Sequence, residues 1–214
     1  MEESTPLAPQ GPEGLSAAIL AGGRSTRMGK NKAFATLAGM RLVDRVRHSV
    51  TQLADDVMLV TNQLAPYADF PGRVVIDNVP HRGPLCGLET ALAHAHHPML
   101  FVTAVDNPFI EPSLIEYLAR FAPHYDAVYC MGPVKAEPLV GFYRYTCLAA
   151  VRQMQAEGIW QLFRLPSYAN VRVVPYAEAL KFDPEGLTFF NINTPEDLRR
   201  AELLLHTRRW GRSE

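Results

Sequence analysis

The sequence predicts an α/β domain in which helices cover both faces of a mostly parallel β-sheet, and three observations lead to that fold class. Compact apolar runs, such as the one from Leu15 to Leu20, recur along the chain and suit strands that are buried on both faces. Segments with apolar residues at helical spacing separate these runs, as in successive βαβ units. Turn residues follow the first run at Ala21-Gly22-Gly23, where a Rossmann-like sheet of this kind binds its ligands.

Each predicted element follows from the local pattern. Apolar runs predict strands, in chain order, at 15–20, 57–60, 73–76, 99–105 and 127–131, and then, in a less regular second half, at 139–145 and 171–175. A helix over 41–54 is predicted by helical spacing of Leu42, Val43, Val46, Val50 and Leu53. Further helices are predicted from Leu85 to a stop at Pro98, at 112–121, which Pro112 begins, and at 196–206.

Composition describes a folded, nearly neutral protein. The chain has 214 residues, of which 48% are hydrophobic and 20% charged, so it can bury a substantial core. A net charge of −1 lacks the positive field that a general nucleic-acid binder carries. The three cysteines, Cys86, Cys130 and Cys147, are too far apart in sequence to suggest a zinc site or a disulfide framework, and reduced thiols in a cytoplasm are expected.

The two ends of the chain differ from its middle. Residues 1–14 are acidic and rich in Pro and Gly, without the basic start and apolar centre of a signal peptide, and they predict a disordered tail. Residues 15–206 contain no linker and predict a single domain, followed by a short C-terminal tail over 207–214. No apolar run reaches the roughly 18 residues that a membrane span needs, so no membrane partner is expected.

The loop after the first strand combines glycines with cations. It contains Gly22, Gly23 and Gly29 together with the cationic residues Arg24, Arg27, Lys30 and Lys32. Glycines let backbone N–H groups approach a phosphate, and the cations offset its charge, so phosphate binding is favoured over a plain solvated turn. The spacing does not fit a Walker A loop, because Gly23 and Gly29 are separated by five residues and Lys30 is followed by Asn31.

A carboxylate stands at the end of the fourth strand. Asp106 follows the apolar run from Met99 to Val105 and precedes Asn107-Pro108. A carboxylate at the ligand-binding edge of a sheet can hold Mg²⁺ against triphosphate oxygens, whereas the simpler interpretation is a local turn or cap. Together with the glycine loop, the metal site is the favoured interpretation.

Two shorter segments have both structural and functional interpretations. Gly83 and Gly87, in RGPLCGL, either form a simple helix entry or let the backbone pack against a base or ribose. In NINTPED, Thr194 and Pro195 suit the start of a helix. That account leaves Asn191 and Asn193 unexplained, and they are predicted to alternate on one face of a strand.

Taken together, these segments resemble a known family. LAGGRSTRMGKNK at 20–32 matches the pattern L-A-G-G-x-x-x-R-M-G-x-x-K of sugar-phosphate and molybdopterin nucleotidyltransferases. GPLCGL and NINTPEDL are similar to segments of the molybdenum cofactor guanylyltransferases, the MobA-type enzymes. The resemblance covers Leu15 to Leu204 and implies the nucleotidyltransferase type of α/β fold.

The resemblance also implies an activity, its substrates and a set of site residues. GMP would pass from GTP to the terminal phosphate of molybdopterin carrying molybdenum, with release of pyrophosphate and with Mg²⁺ on Asp106 as cofactor. Lys32, Asp106 and Arg27 would be catalytic. Residues expected to bind the nucleotide or line its pocket are Leu20, Ala21, Gly22, Gly23, Lys32, Asn62, Asp77, Gly83, Gly87, Asp106, Asn191 and Asn193. Further partners would be a recipient molybdoenzyme or a cofactor-delivery protein, and the chain is expected to be a monomer.

Other functions remain open at this stage. A molybdopterin cytidylyltransferase, a sugar-phosphate nucleotidyltransferase and a non-catalytic module that binds nucleotide or molybdenum cofactor would share several of these segments.

Two further features are expected to be structural. The histidines His94, His96 and His97 suit a helix C-terminus better than a metal site, and Cys86 suits packing better than nucleophilic chemistry.

Overall fold

The computed structural model describes residues 14–22, 31–77 and 82–210. Most of the tail predicted over 1–14 therefore lies outside the described residues. The strands are β1 Ser16–Leu20, β2 Thr36–Leu37, β3 Met40–Arg41, β4 Asp56–Thr61, β5 Arg73–Ile76, β6 Met99–Ala104, β7 Ala127–Met131, β8 Ala136–Arg144 and β9 Val171–Val174. The helices are α1 Leu42–Val50, α2 Pro84–His94, α3 Pro112–Ala119, α4 Cys147–Ala156, α5 Tyr176–Ala179 and α6 Pro195–Trp210.

Seven of these strands form one twisted layer, in the order β5-β4-β1-β6-β8-β7-β9. The pairs β5-β4, β4-β1, β1-β6 and β7-β9 are parallel, whereas β8 is antiparallel to both of its neighbours. The predicted α/β fold with a mostly parallel sheet is confirmed, and the first five predicted strands agree with the structure to within one residue at either end.

Helices pack on both faces of this sheet, as predicted. One core cluster joins α1 and α3 to the sheet through buried residues such as Val46 and Leu114. The cluster on the opposite face joins α2 and α4 through residues such as Leu88 and Val151. Burying apolar side chains on both faces explains why the strand sequences are continuously apolar rather than alternating.

The reversed strand β8 is the main departure from simple βαβ alternation. A tight turn, in which Gly132 N donates to Lys135 O at 2.7 Å, leads from β7 directly into β8. The strand begins three residues earlier than the predicted 139, because a register shift after Tyr129 accommodates Pro138 within the ladder. Proline cannot donate a ladder hydrogen bond, and a bulge is one of the places where a strand tolerates it.

Three helices on the sheet faces are shorter than predicted, and among them α3 ends at Ala119 rather than 121. α1 ends at Val50 rather than 54, and Leu53 N then donates to Val50 O in a following turn. α2 ends at His94, before Pro98, because the next residues leave the helix to bond elsewhere. The backbone N–H groups of His96 and His97 both donate to Ser16 Oγ at 3.1 Å, which ties this turn to the start of β1.

The closing helix α6 is longer than predicted. It continues to Trp210, so the tail boundary predicted at 207 falls inside the helix. Residues 207–210 contain neither Gly nor Pro, and the first such residue is Gly211. The Thr207 hydroxyl donates to Leu204 O at 3.0 Å within the helix. None of the helices in the described ranges combines the length and apolarity required to cross a bilayer.

Candidate functional site

Four parallel strands end together at one edge of the sheet. Leu20 at the end of β1 pairs with Val60 on one side and with Ala104 on the other. Thr61 pairs with Ile76 at the ends of β4 and β5. Because this register aligns the strand ends, the residues that follow them meet in space although they are far apart in sequence.

A cavity of about 420 Å³ opens at this edge. That volume lies within the range of about 300–1,000 Å³ usual for small-molecule sites. Eight of the predicted site residues line it: Leu20, Gly22, Lys32, Asn62, Asp77, Gly83, Gly87 and Asp106. The structure therefore brings these eight residues together around one cavity at the carboxyl edge of the sheet.

Lys32 reaches the cavity from the end of the glycine-rich loop. It begins a short 3₁₀ turn, Lys32–Phe34, which Asn31 caps by accepting the Ala33 N–H at 3.1 Å. The Asn31 amide also donates to the Tyr67 hydroxyl at 3.1 Å. Asn31, which occupies the position of the hydroxyl residue in a Walker A loop, thus anchors the turn that presents Lys32.

Asp106 lies on a well-tethered segment beyond β6. Its own carbonyl accepts the Ile192 N–H at 3.0 Å, and the neighbouring Asn107 N–H donates to Ala104 O at 3.1 Å. The buried Asn107 amide donates to Thr188 O at 3.3 Å. These bonds hold the carboxylate at the cavity and connect it to the chain segment ahead of α6.

An ion pair joins the two charged groups. The Lys32 ammonium donates to Asp106 Oδ2 and, at 3.3 Å, to Asn193 Oδ1. The Lys32 and Asp106 side chains are only 19% and 14% exposed, so water screens their attraction less than at an open surface. Residues from three distant parts of the chain are thereby linked at one point.

The entry to α2 forms another part of the cavity. Gly83 has φ 99°, a conformation that residues with a side chain rarely adopt, and it directly precedes Pro84 at the first position of the helix. A Cβ on Gly87 would lie 3.2 Å from Leu20 Cδ1, so glycine lets the helix approach β1. Helix N-termini favour negative charge, which suits a phosphate-bearing ligand here.

The asparagines of the NINTPED segment occupy different positions. Within the described chain residues 191–193 form no strand, so the prediction that Asn191 and Asn193 alternate on a strand face is wrong. Asp197 Oδ2 accepts the Asn193 and Thr194 N–H groups at 3.0 and 2.9 Å. These N–H groups therefore bond to the start of α6 and not to a neighbouring strand. The Asn191 amide donates to Phe189 O, whereas Asn193 reaches Lys32.

Some predicted residues stand elsewhere. Ala21 extends the ladder, its N–H donating to Val60 O at 2.8 Å, and among the described residues it is not part of the cavity wall. Gly23 and Arg27 lie outside the described residues, as do Arg24, Gly29 and Lys30.

Sequence reasoning missed part of the apolar wall, which includes Val60, Ala104 and Leu139. Val60 and Ala104 could have been inferred, because they pair with Leu20 at the strand ends. Leu139 had no such signal, since it reaches the cavity only through the insertion of β8 beside β6.

A second carboxyl group lies near this edge. Glu137 in β8 is partly buried, and this burial raises its pKa, which the nearby Lys135 ammonium lowers and the Asp106 carboxylate raises further. Glu137 therefore shares an electrostatic environment with Asp106.

The remaining candidates have structural surroundings. His96 Nδ1 lies 3.5 Å from Asp56 Oδ1, and His97 Nε2 lies 3.2 Å from Asp55 Oδ2, so the histidines contact different groups. In the part of the chain that the structure describes, no three His, Cys, Asp or Glu residues form a metal-binding group. Burial raises the pKa of the Cys86 thiol to about 11, with Asp77 and Glu89 adding to the effect, so the thiol is protonated and packs in the core.

Comparisons with known proteins agree with this geometry. The profile of the MobA-like NTP transferase domain matches residues 17–173. The chain is 31% identical over 192 residues to a molybdenum cofactor guanylyltransferase of Desulfosudis oleivorans, covering 89% of this chain and 95% of the relative. It is 30% identical over 187 residues to the molybdenum cofactor guanylyltransferase of Syntrophotalea carbinolica, covering 86% and 89% of the two chains.

A solved structure is similar over the same extent. The crystal structure of molybdopterin-guanine dinucleotide biosynthesis protein A from Archaeoglobus fulgidus superposes with a TM-score of 0.77 at 27% sequence identity. The match covers 90% of this chain and 99% of that one. The family profile over residues 17–173 includes the cavity edge, α2 and β8 together, so the similarity is not confined to one segment.

Proposed function

The chain belongs to the MobA-like NTP transferase family, and from that membership we propose that it transfers GMP from GTP to molybdopterin and releases pyrophosphate. It is a nucleotidyltransferase, and its relatives carry the name molybdenum cofactor guanylyltransferase. The observation that carries the proposal is the gathering of Lys32, Asp77 and Asp106 around one cavity at the carboxyl edge of the sheet.

The nucleotide is assigned to the cavity by its chemistry. Gly22 lines it beside Asn62, whose Oδ1 would lie 3.7 Å from a Cβ at that glycine, so backbone and amide groups meet there without a side chain between them. Lys32 supplies positive charge for the phosphates, and α2, which begins at Pro84, directs the positive end of its helix dipole to the cavity. Asp77, which is 7% exposed, offers a carboxylate acceptor for the amino and imino groups of a guanine edge.

The transfer itself needs positioning and charge rather than a general base. An oxygen of the terminal molybdopterin phosphate bonds to the α-phosphorus of GTP, and the bond from that phosphorus to the β-phosphate bridging oxygen breaks. The acceptor is already an anion, so the protein must hold two charged reactants in line and stabilise the charge that develops on pyrophosphate. Lys32 is the described cation placed to do this, and Arg27 is proposed to assist.

The described residues fit a divalent cation shared with the nucleotide. Mg²⁺ in phosphate-transfer sites is commonly held by one or two carboxylates together with substrate phosphates, rather than by a cage of protein ligands. Asp106 would hold the cation. The amide oxygen of Asn193 is close by, because the Lys32 ammonium donates to both Asp106 and Asn193. When bound, the cation offsets charge on the phosphates and polarises them.

The test is a substrate panel. Purified protein is incubated with molybdopterin and each of the four nucleoside triphosphates in turn, and any dinucleotide is identified by mass. We expect product with GTP and several powers of ten less with the other bases, because a wrong base leaves buried donors and acceptors unpaired. Equal or better use of CTP would replace the guanylyltransferase with a cytidylyltransferase, and turnover with a sugar phosphate alone would indicate the sugar-phosphate class.

A matched pair of variants separates chemistry from folding. Asp106→Asn keeps the size of the side chain but removes the negative charge that would hold the cation. It should abolish transfer while the protein still folds. Asp126→Asn is the control, because Asp126 accepts the Thr146 hydroxyl and the Asn170 N–H at the other edge of the sheet. Near-normal transfer by Asp106→Asn would remove this residue from the mechanism, and binding of nucleotide without turnover by wild type would favour a non-catalytic module.

We further propose that the reaction takes place in the cytoplasm. The three cysteines are free and buried, as expected where thiols stay reduced. The product would pass to a molybdoenzyme or to a delivery protein, and the protein is proposed to act as a monomer.

A further inference from the structure

The proposed metal ligand already carries a cation. The Lys32 ammonium is hydrogen-bonded to Asp106 Oδ2, on the carboxylate assigned above to the metal. Asn193 Oδ1 accepts from the same ammonium at 3.3 Å and holds it on this side of the cavity. Asn193 is itself fixed, since its N–H donates to Asp197 at the start of α6.

We propose that Lys32 and the divalent cation compete for Asp106, so that the carboxylate accepts the metal only after nucleotide phosphates draw Lys32 away. This inference rests on the proposed function, because it takes Asp106 as the metal ligand. Nucleotide binding is then the event that opens the metal position. The free protein leaves the metal in solution, and the nucleotide and the metal bind cooperatively.

The charges at the site explain this order. A metal that displaced Lys32 in the free protein would leave the ammonium without its carboxylate at a position where its side chain is only 19% exposed. Mg²⁺ also gives up its water reluctantly, and one carboxylate offers little in exchange. A triphosphate changes both conditions, because it gives Lys32 a new anionic partner and gives the metal additional oxygen ligands. By linkage, the metal strengthens nucleotide binding by the same factor.

The experiment measures metal binding without turnover. Free Mn²⁺ is followed by electron paramagnetic resonance during titration into the full chain, with neither nucleotide nor molybdopterin present. Four proteins are compared: wild type, Lys32→Met, Lys32→Met with Asp106→Asn, and Lys135→Met. Lys135 is the matched control, because it carries the same charge as Lys32. It lies near Glu137, as Asp106 does, but in the described contacts it is not bonded to Asp106.

We expect Lys32→Met to bind Mn²⁺ at least tenfold tighter than wild type, and Lys135→Met to change the affinity less than about threefold. The gain should disappear in the double variant. A non-hydrolysable GTP analogue should strengthen Mn²⁺ binding to wild type and much less to Lys32→Met.

Three outcomes overturn the proposal. Lys32→Met binds Mn²⁺ no tighter than wild type; Lys135→Met gains as much, which would indicate a general effect of charge; or the gain survives the loss of Asp106. None of these measurements in the free protein involves a base or an acceptor. A failed GTP panel would therefore overturn the guanylyltransferase activity while leaving the ion-pair competition standing. Product with GTP together with unchanged Mn²⁺ affinity in Lys32→Met would overturn the competition and leave the activity standing.

Discussion

Replacing Asp56 by Asn should destabilise the protein strongly at neutral pH and hardly at all in acid. Asp56 begins β4 and its side chain is 8% exposed. It accepts the Ser16 hydroxyl at 2.6 Å and the His96 N–H at 3.2 Å. From Arg73 it accepts Nη2 at 2.7 and 2.9 Å and Nε at 3.1 Å. One carboxylate thereby joins β1, β4, β5 and the turn before β6.

The size of the effect follows from these bonds. Removing one partner of a buried ion pair costs about 3–5 kcal/mol, and the low end applies because Arg73 is 35% exposed and can regain water. With a urea dependence of about 2 kcal/mol per molar, a loss of about 3 kcal/mol lowers the unfolding midpoint by about 1.5 M.

The pH dependence provides the sharper test. Burial of the Asp56 carboxyl acts to raise its pKa, but the bonds from Ser16, His96 and Arg73 outweigh it, so the folded pKa lies below the usual value. The unfolded state binds the proton more readily, so this stabilisation is present above the unfolded pKa and is lost as the pH falls through the folded pKa. The free-energy difference between wild type and Asp56→Asn should therefore shrink in acid.

The assay is urea unfolding followed by circular dichroism across a pH series. Asp55→Asn is the control, because it removes the neighbouring charge from a side chain that is 64% exposed, and its midpoint should shift much less. A difference between wild type and Asp56→Asn that stays constant with pH, or that is below about 1 kcal/mol at neutral pH, would refute the reasoning.

Two further predictions concern packing. Gly141→Ala would place a Cβ 2.6 Å from Val128 O, a backbone atom that cannot move aside alone. The substitution should lower the free energy of unfolding by about 1–3 kcal/mol. A urea midpoint equal to that of wild type would contradict this expectation. Because burial raises the pKa of Cys86 to about 11, Cys86 in the folded protein should resist iodoacetamide at neutral pH and react once urea unfolds the chain, as peptide mapping by mass would show. Rapid labelling of Cys86 in the folded protein would count against this packing.

The sequence predicts the positions of site residues that follow apolar strands, but not of those that long-range contacts position. Strand ends can be read from apolar runs, so the locations of Lys32, Asp77 and Asp106 at one edge followed from the order of strands in an α/β fold. The shape of residues 191–193 could not be predicted in this way, because the Asp197 side chain and the Asp106 carbonyl take the N–H groups that a strand would have used. Leu139 depends on long-range pairing of β8, which local periodicity does not encode.

The reversed strand β8 also affects how the chain completes itself during synthesis. β6 at Met99–Ala104 gains its partner on one side from β1, which leaves the ribosome earlier, but its other side waits for Ala136–Arg144. In the interval β6 presents unpaired backbone N–H and C=O groups beside strongly apolar side chains, the kind of edge that pairs with other chains. We therefore expect an aggregation-prone edge between the emergence of β6 and that of β8, and the strand that closes this interval also brings Leu139 to the cavity.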